Sequence, residues 1–283
     1  MLVPFHEMIK DAHLRHYAVG AFNCLSVENA IGAISAAENL NSPIILQLAE
    51  VQFPQAPMEL LAPVFLTAAK RARIPVAVHL DHGQSLETCI RAIQAGFNSI
   101  MFDGADLPFE ENVRISSIAA KLAHACGVDM EAELGKVGDA SSAHGGAPCD
   151  GDIFTDVSEA MEFVSRTGTD ALAVAIGNLH GKYISTPQLN IGRLQELDGA
   201  LDIPMVLHGG SGTSTEDFKA CIKNGISKIN VATAIQTAVA DKISEYVRSG
   251  VNHSYITMKS LIIEASEEAV ASHILLFESN GKA

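Results

Sequence analysis

A chain of 283 residues with 48% apolar content is long enough to bury a sizeable core, and its length fits one large domain of the barrel or open-sheet kind. Nineteen basic against 33 acidic residues give a formal charge of −14 with no basic stripe, which argues against nucleic acid and anionic membrane as partners. No run reaches transmembrane length, the amino-terminal stretch has no apolar signal-like centre, and the five cysteines (24, 89, 126, 149, 221) are scattered without a Cys-x-x-Cys, so a cytoplasmic, reducing location is expected.

In chain order, short apolar strands alternate with amphipathic helical stretches. YAVGAFN (17–23) is the first strand, followed by a helix over 27–40. PIILQL (43–48) and PVAVHL (75–80) come next, then a helix over 85–96 that ends in glycine, as a C-cap would. SIMFD (99–103), VDMEAEL (128–134), DALAVAIG (170–177) and IPMVLHG (203–209) follow, then a helix over 217–225 and the strand SKINVA (227–232). Residues 255–277 predict one more helix. Near-continuous apolar strands separated by helices mean a parallel sheet covered on both faces, and eight units is the count of an α/β (β/α)8 TIM barrel, here with an extra C-terminal helix. A doubly wound open sheet would show a Gly-rich nucleotide loop after its first strand, where FNCLS stands instead. Residues 1–283 read as one TIM-barrel domain, and the Gly-, Ala- and Ser-rich segment 135–154 as a mobile active-site loop.

Barrel chemistry sits at the C-terminal strand ends. Asn23, Asp81, His82, Asp103, Glu131, Glu133, Asn178, His180, His208, Ser211, Asn230 and Thr233 collect there. His82, His180 and His208 each close an apolar run and each precede a glycine. One such histidine is more often a hydrogen-bonded structural residue, but three converging on a barrel mouth could hold Zn²⁺ with one position open. Asp81 points the other way along the strand from His82 and is placed for proton transfer, or else orients a histidine. His79, one strand period before Asp81, reads as a supporting or interior residue. Asp103 and Glu133 suit a second cation, orientation of the first, or a buried hydrogen-bonding role. Histidines 6, 13, 16, 124, 144, 253 and 273 read as surface or loop residues. HGGSG (208–212) and NVAT (230–233) end the seventh and eighth strands, the usual phosphate corner, where glycine N–H groups, Ser211, Thr233 and a helix N-terminus meet an anion.

The stretches YAVGAFN, HLDHG, MFDGA, EAELG, AVAIGNLHGKY, VLHGGSG and KINVAT, in that order over nearly the whole chain, resemble the class II, metal-dependent ketose-bisphosphate aldolases. The resemblance implies a homodimer or homotetramer, a small-molecule sugar phosphate as substrate and dihydroxyacetone phosphate as a product. It implies zinc on His82, His180 and His208, and Asp81 handling the proton of the C4 hydroxyl. Gly181, Gly209, Ser211 and Thr233 would hold the C1 phosphate, with Lys182, Gly210 and Ala232 in the same stretches. Asn230 would contact the dihydroxyacetone part, and Asn23 would be a further substrate-binding residue. Asp103 and Glu133 fall where the family binds a second cation, and a monovalent ion (Na⁺ or K⁺) near the phosphate is also implied. Zinc as a Lewis acid would stabilise the charge left by C3–C4 cleavage, so no lysine Schiff base is needed.

Two departures stand out. The loop glutamate that the family carries after EAELG is missing from VGDASSAHGGAPCDGD, leaving Asp139, His144 or another group as the substitute. The arginine that grips the distal phosphate is also missing, and Ser254 in VNHSYITMKS aligns with it. Ser254 with Gly145, Gly146 and Ala147 offers neutral donors, which suit a sulfonate better than a phosphate dianion. The expected reaction is therefore cleavage of 6-deoxy-6-sulfofructose 1-phosphate to dihydroxyacetone phosphate and sulfolactaldehyde. The alternative is a fructose- or tagatose-1,6-bisphosphate aldolase giving glyceraldehyde 3-phosphate. A metal-dependent hydrolase would want a His-x-His on the first strand, where Asn23 and Cys24 stand. A sugar-phosphate binding protein without turnover draws support only from the missing loop glutamate.

Overall fold

A computed structural model describes residues 1–135, 138–139, 154–180, 188–210, 212–250 and 254–283. Its eight main strands are β1 (Val19–Asn23), β2 (Ile44–Ala49), β3 (Val76–Gly83), β4 (Ser99–Phe102), β5 (Asp129–Leu134), β6 (Ala171–Val174), β7 (Met205–Leu207) and β8 (Ile226–Val231). Each pairs in parallel with its neighbour in sequence, and β8 pairs with β1, so the sheet closes into a barrel. Helix α1 (Phe5–Leu14) precedes the first strand. Then α2 (Val27–Asn39), α3 (Met58–Arg71), α4 (Leu86–Gln94), α5 (Phe109–Ala125), α6 (Val157–Thr167), α7 (Ile191–Ala200), α8 (Thr215–Lys223) and α9 (Thr233–Arg248) follow the strands one by one. The extra C-terminal helix is α10 (Tyr255–Leu276). The helices start on side-chain caps where the sequence supplies them: Ser26 and Ser85 accept the N–H groups of Asn29 and Thr88 at 3.2 and 3.1 Å.

The period of two within each strand divides the molecule. Residues such as Leu46, Val78, Ile100, Met130, Leu172, Leu207 and Ile229 face outward and join the helices in the main core. Val19, Ala21, Ile45, Ala77, Ala171, Ala173 and Val206 face inward and form a second core with Phe5, Met8, Ile9 and Ala12 of α1. Helix α1 therefore plugs one end of the barrel with apolar side chains. Further along the inward-facing rows stand Asn23, Gln47, His79, Asp81, Glu131, Glu133, Lys228 and Asn230, all buried. The apolar plug and the polar residues thus fall at opposite ends, which leaves the C-terminal strand ends for chemistry.

Two local readings change. The third strand runs on to Gly83, past the predicted end at residue 80. His273 is half-buried and not simply a surface residue: its ring stands 6.3 Å from that of Phe22 and 5.6 Å from that of Phe277, and its Nδ1–H donates to the Ala269 carbonyl at 2.7 Å. Helix α10 lies along α2. There Asn29 Nδ2 donates to Ser266 Oγ at 2.9 Å, and a Cβ added to Gly32 would meet the Ile263 carbonyl oxygen at 2.5 Å and Ser266 Cβ at 2.8 Å. Both obstacles belong to a packed helix and cannot swing aside. Gly32→Ala should therefore destabilise the protein by about 1–3 kcal/mol of overpacking, even though alanine favours helix by about 1 kcal/mol. Urea unfolding tests this, and equal or greater stability in the variant would contradict the close approach.

Candidate active site

The site begins with a break in strand geometry. His82 has φ +46, in the left-handed region, and the β3–β4 register shifts between Leu80 and Gly83. Strict alternation would send Asp81 and His82 to opposite faces. The bulge turns both into the barrel mouth instead, so His82 Nε2 lies 3.8 Å from Asp81 Oδ1. This corrects the expectation that Asp81 points away from His82. Gly83 allows the turn to run against β4, since a Cβ there would meet the Met101 carbonyl oxygen at 2.6 Å.

Around this point the chain assembles two groups of possible metal ligands. Asp81, His82 and His208 each offer an atom, all within 4.8 Å of one another, and so do His82, Asp103 and Glu133. The rings of His82 and His208 meet edge to face, their centroids 4.6 Å apart. Each ring has one nitrogen held by a carboxylate. His82 Nδ1–H donates to Asp103 Oδ2 at 2.7 Å, and His208 Nε2–H donates to Glu131 Oε1 at 2.9 Å. That leaves His82 Nε2 facing Asp81, while His208 Nδ1 lies 3.4 Å from Glu133 Oε2. Asp81 itself is clamped: Asn23 Nδ2 donates to its Oδ2 and Asn230 Nδ2 to its Oδ1, both at 2.9 Å. Gln47 Nε2 in turn donates to Asn23 Oδ1 at 2.8 Å.

The electrostatics follow from this crowding. Burial acts to lower the His82 pKa, but the charges of Asp81, Asp103 and Glu133 outweigh it and push it up to about 10. Burial, then the charge of Asp103, raises the Glu133 carboxyl to about 8. Burial acts to raise Asp81 as well, yet His82, His208, Lys228 and the Asn23 amide together hold it below the usual carboxylate range. Glu133 Oε2 is buried without a hydrogen-bond partner among the described residues. Nitrogen and carboxylate donors converging beside such an oxygen fit a divalent cation.

The other expected site residues fare unevenly. The His180 backbone pairs with Asp139 in a short two-stranded ladder apart from the barrel. The His180 and Asp139 side chains, Gly181, Lys182, Ser211, His144, Gly145, Gly146, Ala147 and most of 135–154 lie outside the described residues. Asn178 Nδ2 donates to the His208 carbonyl at 3.0 Å and so ties the end of β6 to β7. Gly209 takes φ +69 after His208, and Gly210 passes close to Phe218 and Ile229. Ala232 and Thr233 begin α9, which has no side-chain cap and no acidic residue in its first turn. By contrast α8 is capped by Ser214 and carries Glu216 and Asp217 there. The start of α9 therefore keeps its N–H groups and positive dipole end open to an anion. Ser254 caps α10: its Oγ accepts the Thr257 N–H at 3.4 Å, and its own N–H donates to Tyr246 Oη at 2.9 Å. Its described contacts are not with the Asp81–histidine group. Sequence reading missed Lys228, which is fully buried with Nζ 2.8 Å from Glu131 Oε2. The signal was there, two residues before Asn230 on the same face of β8.

The two raised pKa values fix the sign of a pH effect on the protein stripped of metal. His82 binds its proton more tightly folded than at the ordinary 6.5, so its stabilising contribution is complete below that pH and lost as pH climbs through about 10. Glu133 acts in the same direction between its ordinary 4.5 and about 8. The thermal midpoint of chelator-treated protein should therefore fall between about pH 7 and 10, and fall less steeply in His82→Gln. Identical slopes would show that His82 does not carry this proton.

A model of the class II fructose-bisphosphate aldolases matches residues 3–282. The chain is 39% identical over 289 residues to a fructose-bisphosphate aldolase of Geobacillus stearothermophilus, covering 100% of this chain and 99% of the other. It is 38% identical over 295 residues to a fructose-bisphosphate aldolase of Staphylococcus epidermidis RP62A, again covering 100% and 99%. The crystal structure of the YdjI aldolase from Escherichia coli K12 superposes with a TM-score of 0.91 at 36% identity, covering 100% of both chains. The chain belongs to the class II fructose-bisphosphate aldolase family and is an aldolase, a carbon–carbon lyase.

Proposed function

We propose that the protein is a zinc-dependent aldolase that reversibly cleaves a ketose 1-phosphate to dihydroxyacetone phosphate and an aldehyde, with 6-deoxy-6-sulfofructose 1-phosphate as substrate and sulfolactaldehyde as the aldehyde. The observation that carries the aldolase chemistry is the meeting of Asp81, His82 and His208 within 4.8 Å at the barrel mouth. In this reading His82 binds zinc through Nε2, because Asp103 holds its Nδ1. His208 binds through Nδ1, because Glu131 holds its Nε2. His180 is the third ligand, and Glu133 is at hand for the same cation or a second one. When bound, zinc supplies a Lewis acid that polarises the substrate carbonyl and spreads the charge that C3–C4 cleavage leaves.

The rest of the work falls to side chains. Asp81, kept ionised and clamped by Asn23 and Asn230, takes the proton of the C4 hydroxyl during cleavage and returns it to the aldehyde oxygen in condensation. The open N-terminus of α9, with Ala232 and Thr233, joins Gly209, Gly210, Ser211, Gly181 and Lys182 around the C1 phosphate, where a monovalent cation, Na⁺ or K⁺, would add positive charge. At the distal end we place Ser254 with Gly145, Gly146 and Ala147. Supporting this, Arg15, Arg73, Arg91, Arg114, Arg166 and Arg193 are each paired with a carboxylate, which leaves Arg71 in the groove between α2 and α3 and Arg248 at the end of α9. A distal end made of these neutral groups would favour a sulfonate over a phosphate dianion. A homodimer or homotetramer accompanies this reading.

Release of dihydroxyacetone phosphate should stop on chelation and return with Zn²⁺. Asp81→Asn should lower kcat by roughly 10²–10⁴-fold, the usual worth of a general base, with the histidine–zinc group intact. Parallel kinetics on the sulfosugar and on fructose and tagatose 1,6-bisphosphates decide the substrate. A higher kcat/KM for either bisphosphate would overturn the sulfonate assignment and leave the aldolase standing.

A further inference from the structure

Beneath the histidines lies a buried ionic layer that the reaction itself does not use. Lys228 on β8 and Glu131 on β5 reach each other across the interior, and neither side chain meets solvent. Their charged atoms are 2.8 Å apart, but Lys228 Nζ and Glu131 Oε2 do not align as a directed hydrogen bond. The contact is one of charge more than of lone-pair geometry. Glu131 divides its oxygens: Oε2 faces Lys228, and Oε1 accepts the Nε2–H of His208. His79 closes the far side, its Nε2 3.6 Å from Glu131 Oε2 and its Nδ1 2.8 Å from Ser99 Oγ. Burial, reinforced by the charge of Lys228, holds His79 well below the usual imidazole pKa, so it adds no second positive charge.

Packing does not require this pair. The neighbouring inward positions are filled by Ala77, Ala171, Ala173 and Val206, and an ion pair in such surroundings is not better for stability than apolar side chains of the same volume. What it does supply is direction. With Oε2 pinned by the ammonium, Oε1 is fixed on His208, the proton of that ring is fixed on Nε2, and Nδ1 is turned to the mouth.

We propose that Lys228 is a positioning residue for metal binding: through Glu131 it sets the orientation and tautomer of His208. This rests on the zinc reading given above. Without Lys228, Glu131 Oε2 has no counter-charge and the carboxylate can swing off the ring, so His208 is no longer held ready for the ion.

Competition with a chromophoric chelator measures zinc affinity directly, whatever the turnover. Lys228→Met, close in shape and uncharged, should bind Zn²⁺ roughly 10- to 100-fold more weakly than wild type, the usual worth of a group supporting a metal ligand. Because that variant strands a buried carboxylate and can fail to fold, Lys228→Met with Glu131→Gln is made in parallel. The double variant has no buried charge to strand and should unfold at or near the wild-type midpoint, yet still bind Zn²⁺ more weakly. Wild-type affinity in the folded double variant would overturn the proposal and reduce the pair to a stability element. If wild type itself fails to bind Zn²⁺, the zinc reading falls rather than this one.

Discussion

A closed parallel barrel leaves little room for water in its interior, and this one places Asp81, Glu131, Glu133, His79, His208 and Lys228 there. A charge buried in that way is costly unless a partner sits beside it. Everything distinctive about the site follows from how the charges are matched. Glu131 has Lys228 and His208. Asp81 has two amide donors and the nearby imidazole of His82. Asp103 has His82. Glu133 Oε2 is buried with no hydrogen-bond partner among the described residues, beside two imidazoles that already serve other carboxylates. Carboxylates outnumber the cationic groups in this cluster, a composition that a divalent cation would balance.

The same arrangement separates the tasks of neighbouring groups. Asp81 and His82 are adjacent in sequence, and the left-handed turn at His82 brings both to the mouth. Carboxylates hold the far nitrogens of His82 and His208, so both rings are oriented before any ion arrives. The amides of Asn23 and Asn230 fix Asp81 without adding charge, which keeps it an acceptor. The rigidity of the strands makes these positions reproducible, and the helix that follows β8 brings an uncapped N-terminus to the same rim. The proposed metal ligands, base and anion site thus fall at one end of the barrel because all are built at strand ends.

Much of this was legible in the sequence. Eight apolar runs alternating with helices gave the barrel, and polar residues at the ends of the runs gave its working end. The closing histidine–glycine pairs singled out His82, His180 and His208, of which His82 and His208 come together and the His180 side chain lies outside the described residues. The direction of Asp81 was misread because period two assumes an unbroken strand, and a bulge with positive φ has no mark in HLDHG beyond its glycine. His273 was misread because its packing against Phe22 of β1, far away in sequence, is a tertiary contact that helix periodicity does not show. Lys228 was passed over for a third reason: a lysine is ordinarily exposed, although its place two residues before Asn230 put it on the same inward row of β8. The capping role of Ser254 at the start of α10 was likewise not read from its alignment position.

The central claim is that His82 Nε2 and His208 Nδ1 point at one ion. X-ray absorption at the zinc edge on zinc-loaded protein measures that shell directly. The account predicts about three nitrogen neighbours at about 2.0–2.1 Å, with the outer-shell scattering of imidazole rings, and no sulfur. A shell of oxygens alone, or one containing sulfur at about 2.3 Å, would contradict it.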